Sequence, residues 1–159
     1  AFDRVLSHFN NTKMDVSTLV AAYRDHRPDI QFYPGARDAL IKLRALAPIA
    51  IVTDGTAAMQ GRKIEALQLQ SLVDTIVYCW ECQAPKPATL AYEIAAKQLG
   101  CEIKSAIVIG DDPLHDLAAA AFIGARSIRV RTGRLRDLDG GGAEEFPDFA
   151  TVVSSLVSE

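Results

Sequence analysis

The sequence has 159 residues, of which 49% are apolar and 23% charged, and its net charge at pH 7 is −3. This balance is typical of a folded globular domain and excludes a disordered chain. A small negative charge lacks the basic field that attracts nucleic acids or anionic membranes. The longest apolar stretch, Leu117 to Ile123, is far shorter than the roughly 20 residues of a membrane helix. We therefore expect no nucleic-acid or membrane partner, while the composition leaves the oligomeric state open.

The cysteines indicate a reducing compartment. Cys79, Cys82 and Cys101 are odd in number and too few for a secreted, disulfide-linked scaffold. The opening residues, 1–4, do not have the charged-then-apolar pattern of a secretory signal, so we expect a cytoplasmic location. Cys79 and Cys82 have the C-x-x-C spacing, but they follow a predicted strand rather than opening a helix. We interpret them as ordinary thiols.

Residues 1–31 have the apolar periodicity of helices, and Asn10-Asn11 interrupts it. Either Asp15 or Ser17 can cap a second helix. Pro28 is expected to end that helix, because proline lacks the backbone donor that a helix interior needs.

From residue 32 onward, predicted strands alternate with predicted helices. A turn at Phe32-Tyr33-Pro34-Gly35 precedes the first helix of this part. The first strand is a continuous apolar run, which is typical of a strand buried on both faces. Alternation of this kind predicts an α/β fold, with a mostly parallel sheet covered by helices on both faces. We expect strands at 49–53, 75–78, 106–109 and 127–130, and helices at 36–43, 56–67, 87–99, 113–123 and 151–157.

Polar residues follow the ends of these strands. The first strand ends at Thr53-Asp54-Gly55 and the third at Gly110-Asp111-Asp112, while Lys86 stands between two prolines just before a helix. Ligands of parallel sheets bind beyond the carboxyl ends of the strands. We therefore expect a hydroxyl group, a cation and an acidic group to converge at one edge of the sheet.

The acidic group comprises Asp111, Asp112 and Asp116. Carboxylate oxygens suit Mg²⁺, which uses one or two protein carboxylates and keeps several waters. Acidic residues also favour a helix start for electrostatic reasons, and Asp112 can be the helix cap with Pro113 as the first helical residue. Three crowded acids repel each other unless a cation is bound, which favours Asp111 and Asp116 as metal ligands, with Asp112 a possible third.

Lys86 and Thr53 suit an anion. A cation before a helix N-terminus opposes the helix dipole, so its placement is explained if Lys86 and backbone N–H groups share a bound anion. The Thr53 hydroxyl, with Asp54 and the flexible Gly55 beside it, suits a phosphoryl oxygen. The alternatives are a solvated lysine and an ordinary β-branched strand residue.

This ordered set resembles motifs two, three and four of the haloacid dehalogenase superfamily: Thr53, then Lys86 in Pro-Lys-Pro, then Gly110-Asp111 with Asp116 five residues later. Residues 32–55 look like the helical-cap subfamily, where the chain returns from the cap to the core. The resemblance covers roughly residues 15–158. It implies a three-layer parallel sheet with a Rossmann-like core.

The resemblance also implies an activity. Members of the phosphatase type are Mg²⁺-dependent and hydrolyse small phosphorylated metabolites through an aspartyl-phosphate intermediate. Thr53 and Lys86 would be catalytic and would bind the phosphate together with Asp54 and Gly55. Asp111 and Asp116, with Asp112 possible, would hold Mg²⁺. Residues 1–31 would be the C-terminal part of a helical cap, and residues 32–159 the α/β core.

The chain departs from the family at motif one. In the family, a first and central strand ends in Asp-x-Asp, whose first aspartate is the nucleophile. Residues 1–31 are helical in pattern, and Asp3 is a poor substitute because no acid stands two positions later. We therefore expect this sequence to contain no Asp-x-Asp, and so to lack the nucleophile and the central strand between 49–53 and 106–109. We also expect the 159-residue chain alone to be inactive.

Other classes remain open. A non-catalytic domain that binds phosphate or Mg²⁺ would use the same residues, and a true haloacid dehalogenase would use the same fold without metal. The pair Asp111 and Asp116 favours the phosphatase. A phospho-receiver domain is disfavoured, because its acidic pair comes first and its lysine last. A dinucleotide-binding domain is disfavoured because no G-x-G-x-x-G follows a strand.

Overall fold

A computed structural model describes residues 2–9 and 14–158; Asn10-Asn11, predicted to interrupt the first helices, lies outside this range. The helices are α1 (Phe2–His8), α2 (Val16–Asp25), α3 (Ala36–Arg44), α4 (Ala57–Ala66), α5 (Leu90–Leu99), α6 (Ala118–Ile123) and α7 (Phe149–Leu156). The strands are β1 (Ala50–Thr53), β2 (Thr75–Tyr78), β3 (Ile107–Gly110), β4 (Arg126–Val130) and β5 (Glu144–Phe146).

All strand pairs are parallel, which confirms the predicted α/β class. β1 pairs with β2, so that Thr53 lies opposite Tyr78. β3 pairs with β4, with Gly110 opposite Arg129, and β4 pairs with β5. Within the described residues, β1 and β3 do not pair, and the sheet is divided into a β1–β2 half and a β3–β5 half.

The division explains an unexpected pattern of burial. The apolar run of β1 predicts a strand buried on both faces, but each of its four residues is only half-buried. In β3, Ile107 is 41% exposed. Both strands have one edge without a strand neighbour in the described chain, so their side chains lack packing partners on that side. By contrast β4, flanked on both sides, buries Ile128, Arg129 and Val130.

Helices join the two halves. Tyr92 of α5 packs with Ala119 and Ile123 of α6, and this cluster contacts both Val52 of β1 and Val108 of β3. Elsewhere in the core, α3 packs against α7. The halves therefore hold their relative position through helix packing rather than through backbone pairing.

Several boundaries differ from the predicted ones. α2 is capped by Asp15, one of the two candidates, and ends three residues before Pro28. Residues 113–123 begin with a π-helical turn, Pro113–Leu117, before α6. β5 was not predicted, because a strand of three residues that includes two glutamates has no apolar pattern.

The first two helices lie outside the core. Neither α1 nor α2 contains a buried residue, and they contact each other through Phe2 and Tyr23, whose ring centroids are 5.7 Å apart. Arg62 of α4 donates to the Arg24 carbonyl oxygen and lies 3.4 Å from an Asp25 carboxylate oxygen. In the described part of the chain no helix has the length and apolar character needed to cross a membrane.

Candidate functional site

The carboxyl ends of the strands bring together residues from both halves. Thr53 ends β1 and Gly110 ends β3. Lys86 lies in the loop between β2 and α5, and Asp116 lies in the π-helical turn after β3. These residues approach each other because parallel strands direct their following loops to one edge of the sheet.

The central contact is an ion pair between Lys86 and Asp116. The Lys86 Nζ lies 2.7 Å from Asp116 Oδ1, and the two side chains are 13% and 12% exposed. The pair connects a loop of the β1–β2 half to a loop of the β3–β5 half. Because it is largely shielded from water, its attraction is stronger than that of a surface ion pair.

Asp116 is fixed by its surroundings. A β-carbon at Gly110 would lie 2.4 Å from the Asp116 β-carbon and from its Oδ2, so this position requires glycine. The Asp112 backbone N–H donates to Asp116 Oδ2 at 3.3 Å. Gly110 and Asp116 belong to the same sequence motif, and their close approach explains why the motif has a glycine.

Tyr92 is a site residue that the sequence did not reveal. Its hydroxyl group lies 3.5 Å from Asp116 Oδ1, and the Lys86 Nζ lies 5.9 Å from the centre of its ring. Burial, followed by the charge of Asp116, raises the pKa of Tyr92 well above its ordinary value. The hydroxyl therefore stays protonated and donates to the carboxylate. Tyr92 belongs to an apolar helix face, which gives no signal of this role.

Asp54 positions the Lys86 loop. Its Oδ1 accepts a hydrogen bond from the Lys86 backbone N–H at 3.0 Å, and its carbonyl oxygen accepts one from Gln60 Nε2 at 2.7 Å. Gly55 follows with φ of +114°, a conformation that side chains disfavour. The Thr53 hydroxyl makes a long contact of 3.5 Å with the Asp54 carbonyl oxygen. The Asp54 side chain therefore holds the backbone of the Lys86 loop in place.

The acids after β3 have separate environments. Burial, followed by the charge of Asp116, raises the pKa of Asp111. Burial also opposes ionisation of Asp112, but hydrogen bonds and charge from His115 and the Leu114 N–H outweigh it and lower its pKa. Asp112 caps the helical turn through Oδ1, and its Oδ2 lies 2.9 Å from His115 Nδ1. Both Asp112 oxygens are thus engaged, as the alternative of a helix cap predicts.

Among the described residues, no group of three or more histidine, cysteine, aspartate or glutamate side chains is arranged to hold a metal ion. Asp111 and Asp116 offer two carboxylates, and one or two is the number that Mg²⁺ commonly takes from protein. Both Asp116 oxygens are already in contact, Oδ1 with Lys86 Nζ and Oδ2 with the Asp112 N–H, so a metal ion would have to displace one of these contacts to bind there.

One Asp-x-Asp does occur, at Asp137-Leu138-Asp139, so the expectation that the sequence contains no Asp-x-Asp is wrong. Asp137 is 87% exposed and lies 3.6 Å from its neighbour Arg136. Asp139 accepts a hydrogen bond from the Gly141 N–H within the loop. Because neither aspartate ends a strand, this tripeptide does not have the setting of the family's nucleophile.

The C-x-x-C pair behaves as ordinary thiols. Cys79 is fully buried and Cys82 packs against it, and both are free. Burial, with a hydrogen bond to Asp54, raises the pKa of Cys79 to about 12. A thiol that stays protonated is a poor nucleophile, so Cys79 lacks the reactivity of a redox cysteine.

Comparisons with known proteins identify the family. A model of haloacid dehalogenase-like hydrolases matches residues 2–130, and the chain belongs to this family. It is 28% identical over 136 residues to a glyceraldehyde 3-phosphate phosphatase from Methanopyrus kandleri, covering 84% of this chain and 58% of that protein. It is 32% identical over 117 residues to a phosphoglycolate phosphatase from Chromobacterium violaceum, covering 72% of this chain and 52% of that protein.

The fold is also that of solved structures. A HAD phosphatase from Thermococcus onnurineus superimposes with a TM-score of 0.74 at 22% identity, covering 99% of this chain and 71% of that one. This likeness establishes the α/β architecture. The chain spans 58% and 52% of the lengths of the two curated relatives.

Proposed function

We propose that this chain is the greater part of a Mg²⁺-dependent phosphohydrolase that acts on a small phosphorylated metabolite. The observation that carries the proposal is the shielded contact between Lys86 and Asp116, at the edge where β1 and β3 end. A lysine in contact with an aspartate, at the edge where a strand ends in threonine, can supply the charge compensation that phosphoryl transfer needs. The phosphatase names of the two curated relatives support the same class.

Each residue then has a role. Lys86 would neutralise charge on the transferring phosphoryl group, and the Thr53 hydroxyl would orient it with the backbone around Gly55. Asp54 would keep the Lys86 loop in place through its hydrogen bond to the Lys86 N–H. Asp111 and Asp116 would hold Mg²⁺, which supplies charge compensation when bound. Asp112 would act as a helix cap rather than as a ligand.

The attacking carboxylate would come from a strand that lies between β1 and β3. Within the described residues, β1 and β3 each have an edge without a strand neighbour, and Ile107 is 41% exposed; both observations support this placement. One parallel strand would satisfy the backbone groups of both edges, and its carboxyl end would reach the Lys86–Asp116 pair. An aspartate there would form the aspartyl-phosphate intermediate, which divides one difficult step into two. The helices of residues 2–9 and 14–31 would belong to a cap over this edge, and the free thiols suit a reducing cytoplasm.

Phosphate binding tests the site. Lys86→Gln should weaken the binding of inorganic phosphate, in the presence of Mg²⁺, by about tenfold or more, because a largely desolvated charge-assisted contact is lost. Lys104→Gln is the matched control, since Lys104 is exposed and lies near the amino end of β3. The measurement is a titration followed by ³¹P NMR. Equal affinities for wild type and Lys86→Gln would contradict the assignment.

Turnover separates the proposal from its main alternative, a domain that binds phosphate or Mg²⁺ without catalysis. The 159-residue chain with Mg²⁺ should not hydrolyse p-nitrophenyl phosphate at a useful rate, because the loss of a nucleophile costs several orders of magnitude. Addition of a strand that ends in Asp-x-Asp should restore hydrolysis. Clear turnover by the chain alone, abolished by Asp111→Asn, would show that a residue already present is the nucleophile.

A further inference from the structure

The segment from Arg126 to Arg136 contains five arginines, an unusual density for a chain with a net charge of −3. Four of them contact carboxylates: Arg126 pairs with Glu144, Arg129 and Arg131 with Glu145, and Arg136 with Asp137. The fifth, Arg134, is exposed and makes no hydrogen bond or ion pair with the part of the chain that the structure describes. Its charge is thus available to a partner outside the described residues.

Arg134 lies beside the candidate site. The preceding residue, Gly133, has φ of +71°, and a β-carbon built there would lie 3.9 Å from Asp111 Oδ2 and 3.9 Å from the Tyr33 hydroxyl oxygen. The backbone just before Arg134 therefore lies close to the Asp111 carboxylate and the Tyr33 hydroxyl group. Tyr33 is 60% exposed, so its hydroxyl group is also accessible at this place.

The loop that carries Arg134 is held in place by the buried side chain of Arg129. Arg129 is fully buried, and its guanidinium donates to the Leu135 carbonyl oxygen at 2.9 Å and to Glu145 Oε1 at 2.6 Å. Gly133–Leu135 form a single helical turn on this anchor. A side chain on a backbone that is already ordered loses less conformational freedom when it binds a ligand.

Charge balance indicates the ligand. Lys86 contacts Asp116 and His115 contacts Asp112, whereas four carboxylates lie at the site: Asp54, Asp111, Asp112 and Asp116. A substrate with an anionic group besides its phosphoryl group would need a further cation at the rim. Arg134 has a planar, permanently charged side chain that matches carboxylate and phosphate oxygens.

We propose that Arg134 recognises a second anionic group, a carboxylate or a further phosphate, on the phosphorylated substrate, with the Tyr33 hydroxyl as a neighbouring donor. This rests on the proposed function, because the first phosphoryl group must lie at Lys86. It adds a specificity-determining residue that belongs to the core of the protein rather than to its cap helices.

A matched pair of probes tests the proposal: methyl phosphate, which has one anionic group, and 2-phosphoglycolate, which adds a carboxylate. Affinities of the 159-residue chain are measured with Mg²⁺ present by ³¹P NMR titration. The wild-type chain should bind 2-phosphoglycolate roughly five- to tenfold more tightly than methyl phosphate. Arg134→Gln should remove this preference without changing the affinity for methyl phosphate. Arg136→Gln, an exposed arginine of the same loop that already pairs with Asp137, should retain the preference.

The outcomes distinguish the two proposals. If wild type binds both probes equally, or if Arg134→Gln keeps the preference, the role of Arg134 is overturned while the phosphate site stands. If neither probe binds, the phosphate site itself is absent and both proposals fail. Unfolding midpoints for the two variants within error of wild type would exclude a folding defect as the cause of lost preference. Replacement of 2-phosphoglycolate by a bisphosphate then tells which second anion Arg134 prefers.

Discussion

The two halves of the sheet differ in what surrounds their strands and in what they bring to the site. The β3–β5 half has a flanked middle strand, β4, whose last three residues are buried, whereas every residue of β1 is half-buried. The β1–β2 half supplies a hydroxyl group and a cation, and the β3–β5 half supplies carboxylates. Each half alone is therefore chemically incomplete, and the Lys86–Asp116 pair is where they meet.

The two halves also differ in the contacts that keep them ordered. In the β3–β5 half, the buried charge of Arg129 ties β4 to β5 and to the loop beyond, so that half is ordered by its own contacts. In the β1–β2 half, the edge of β1 that faces β3 has no strand neighbour among the described residues, and order there depends on packing against α5. Substitutions in the two halves should thus have unequal effects.

The largest effect should come from Glu145→Ala. It leaves the fully buried guanidinium of Arg129 without its carboxylate, and breaking a buried ion pair from one side costs about 3–5 kcal/mol. The control is Glu144→Ala, which removes a partner of Arg126 where both side chains are about 40% exposed, and should cost within about 1 kcal/mol. Urea unfolding measures both free energies.

Similar losses for the two glutamates would contradict the view that the β3–β5 half is ordered by a buried charge. Destabilisation by Glu144→Ala but not by Glu145→Ala would mean that the exposed pair, and not the buried guanidinium, stabilises this half.

A smaller effect, of opposite sign in the two halves, should follow from Gly→Ala substitutions. Gly110→Ala places a β-carbon 2.4 Å from Asp116, which must move, and overpacking of this kind costs about 1–3 kcal/mol. Gly61→Ala, in the middle of α4, meets its nearest neighbour, the Tyr78 hydroxyl oxygen, at an ordinary 3.8 Å, and should stabilise by about 0.5–1 kcal/mol. Thermal unfolding measures both effects: the midpoint of Gly110→Ala should lie below that of wild type, and the midpoint of Gly61→Ala above it. A neutral Gly110→Ala that still binds phosphate would show that Asp116 need not be held in place.

The smallest effect should be a gain from Asp111→Asn in metal-free protein. Burial and the charge of Asp116 raise the pKa of Asp111, so the folded chain holds this proton more tightly than the unfolded chain does. Ionised Asp111 therefore costs stability above its folded pKa, and the cost disappears as the pH falls toward the ordinary value of 3.8. Asp111→Asn should stabilise by up to about 1 kcal/mol at neutral pH.

The gain from Asp111→Asn should shrink on acidification and vanish below pH 3.8, which paired urea titrations at several pH values can follow. Destabilisation by Asp111→Asn at neutral pH would mean that the carboxylate has a favourable partner other than a metal ion.

Much of the fold was predictable, because apolar runs and glycine-terminated helices mark four of the five strands and most helix ends. The positions of Thr53, Lys86, Asp111 and Asp116 at one edge follow from the same alternation. Tyr92 and Arg129 were not predictable. Tyr92 lies on an apolar helix face and Arg129 in an arginine-rich strand, and each acquires its polar contacts only through tertiary packing. The division between β1 and β3 could be expected from the family resemblance, but its effect on the burial of β1 required the structure.

The Lys86–Asp116 contact has a consequence for how ligands assist one another. An anion that attracts Lys86 must compete with Asp116 for the same ammonium group, and a cation that attracts Asp116 must compete with Lys86. Whichever arrives first breaks the pair and leaves the other partner unsatisfied in a poorly hydrated place. The second ligand then binds without that cost, so the affinities are linked, and by thermodynamic reciprocity each raises the other by the same factor. If the proposed anion and cation bind here, the ion pair would compete with each of them, and each ligand would bind more weakly alone than with the other present.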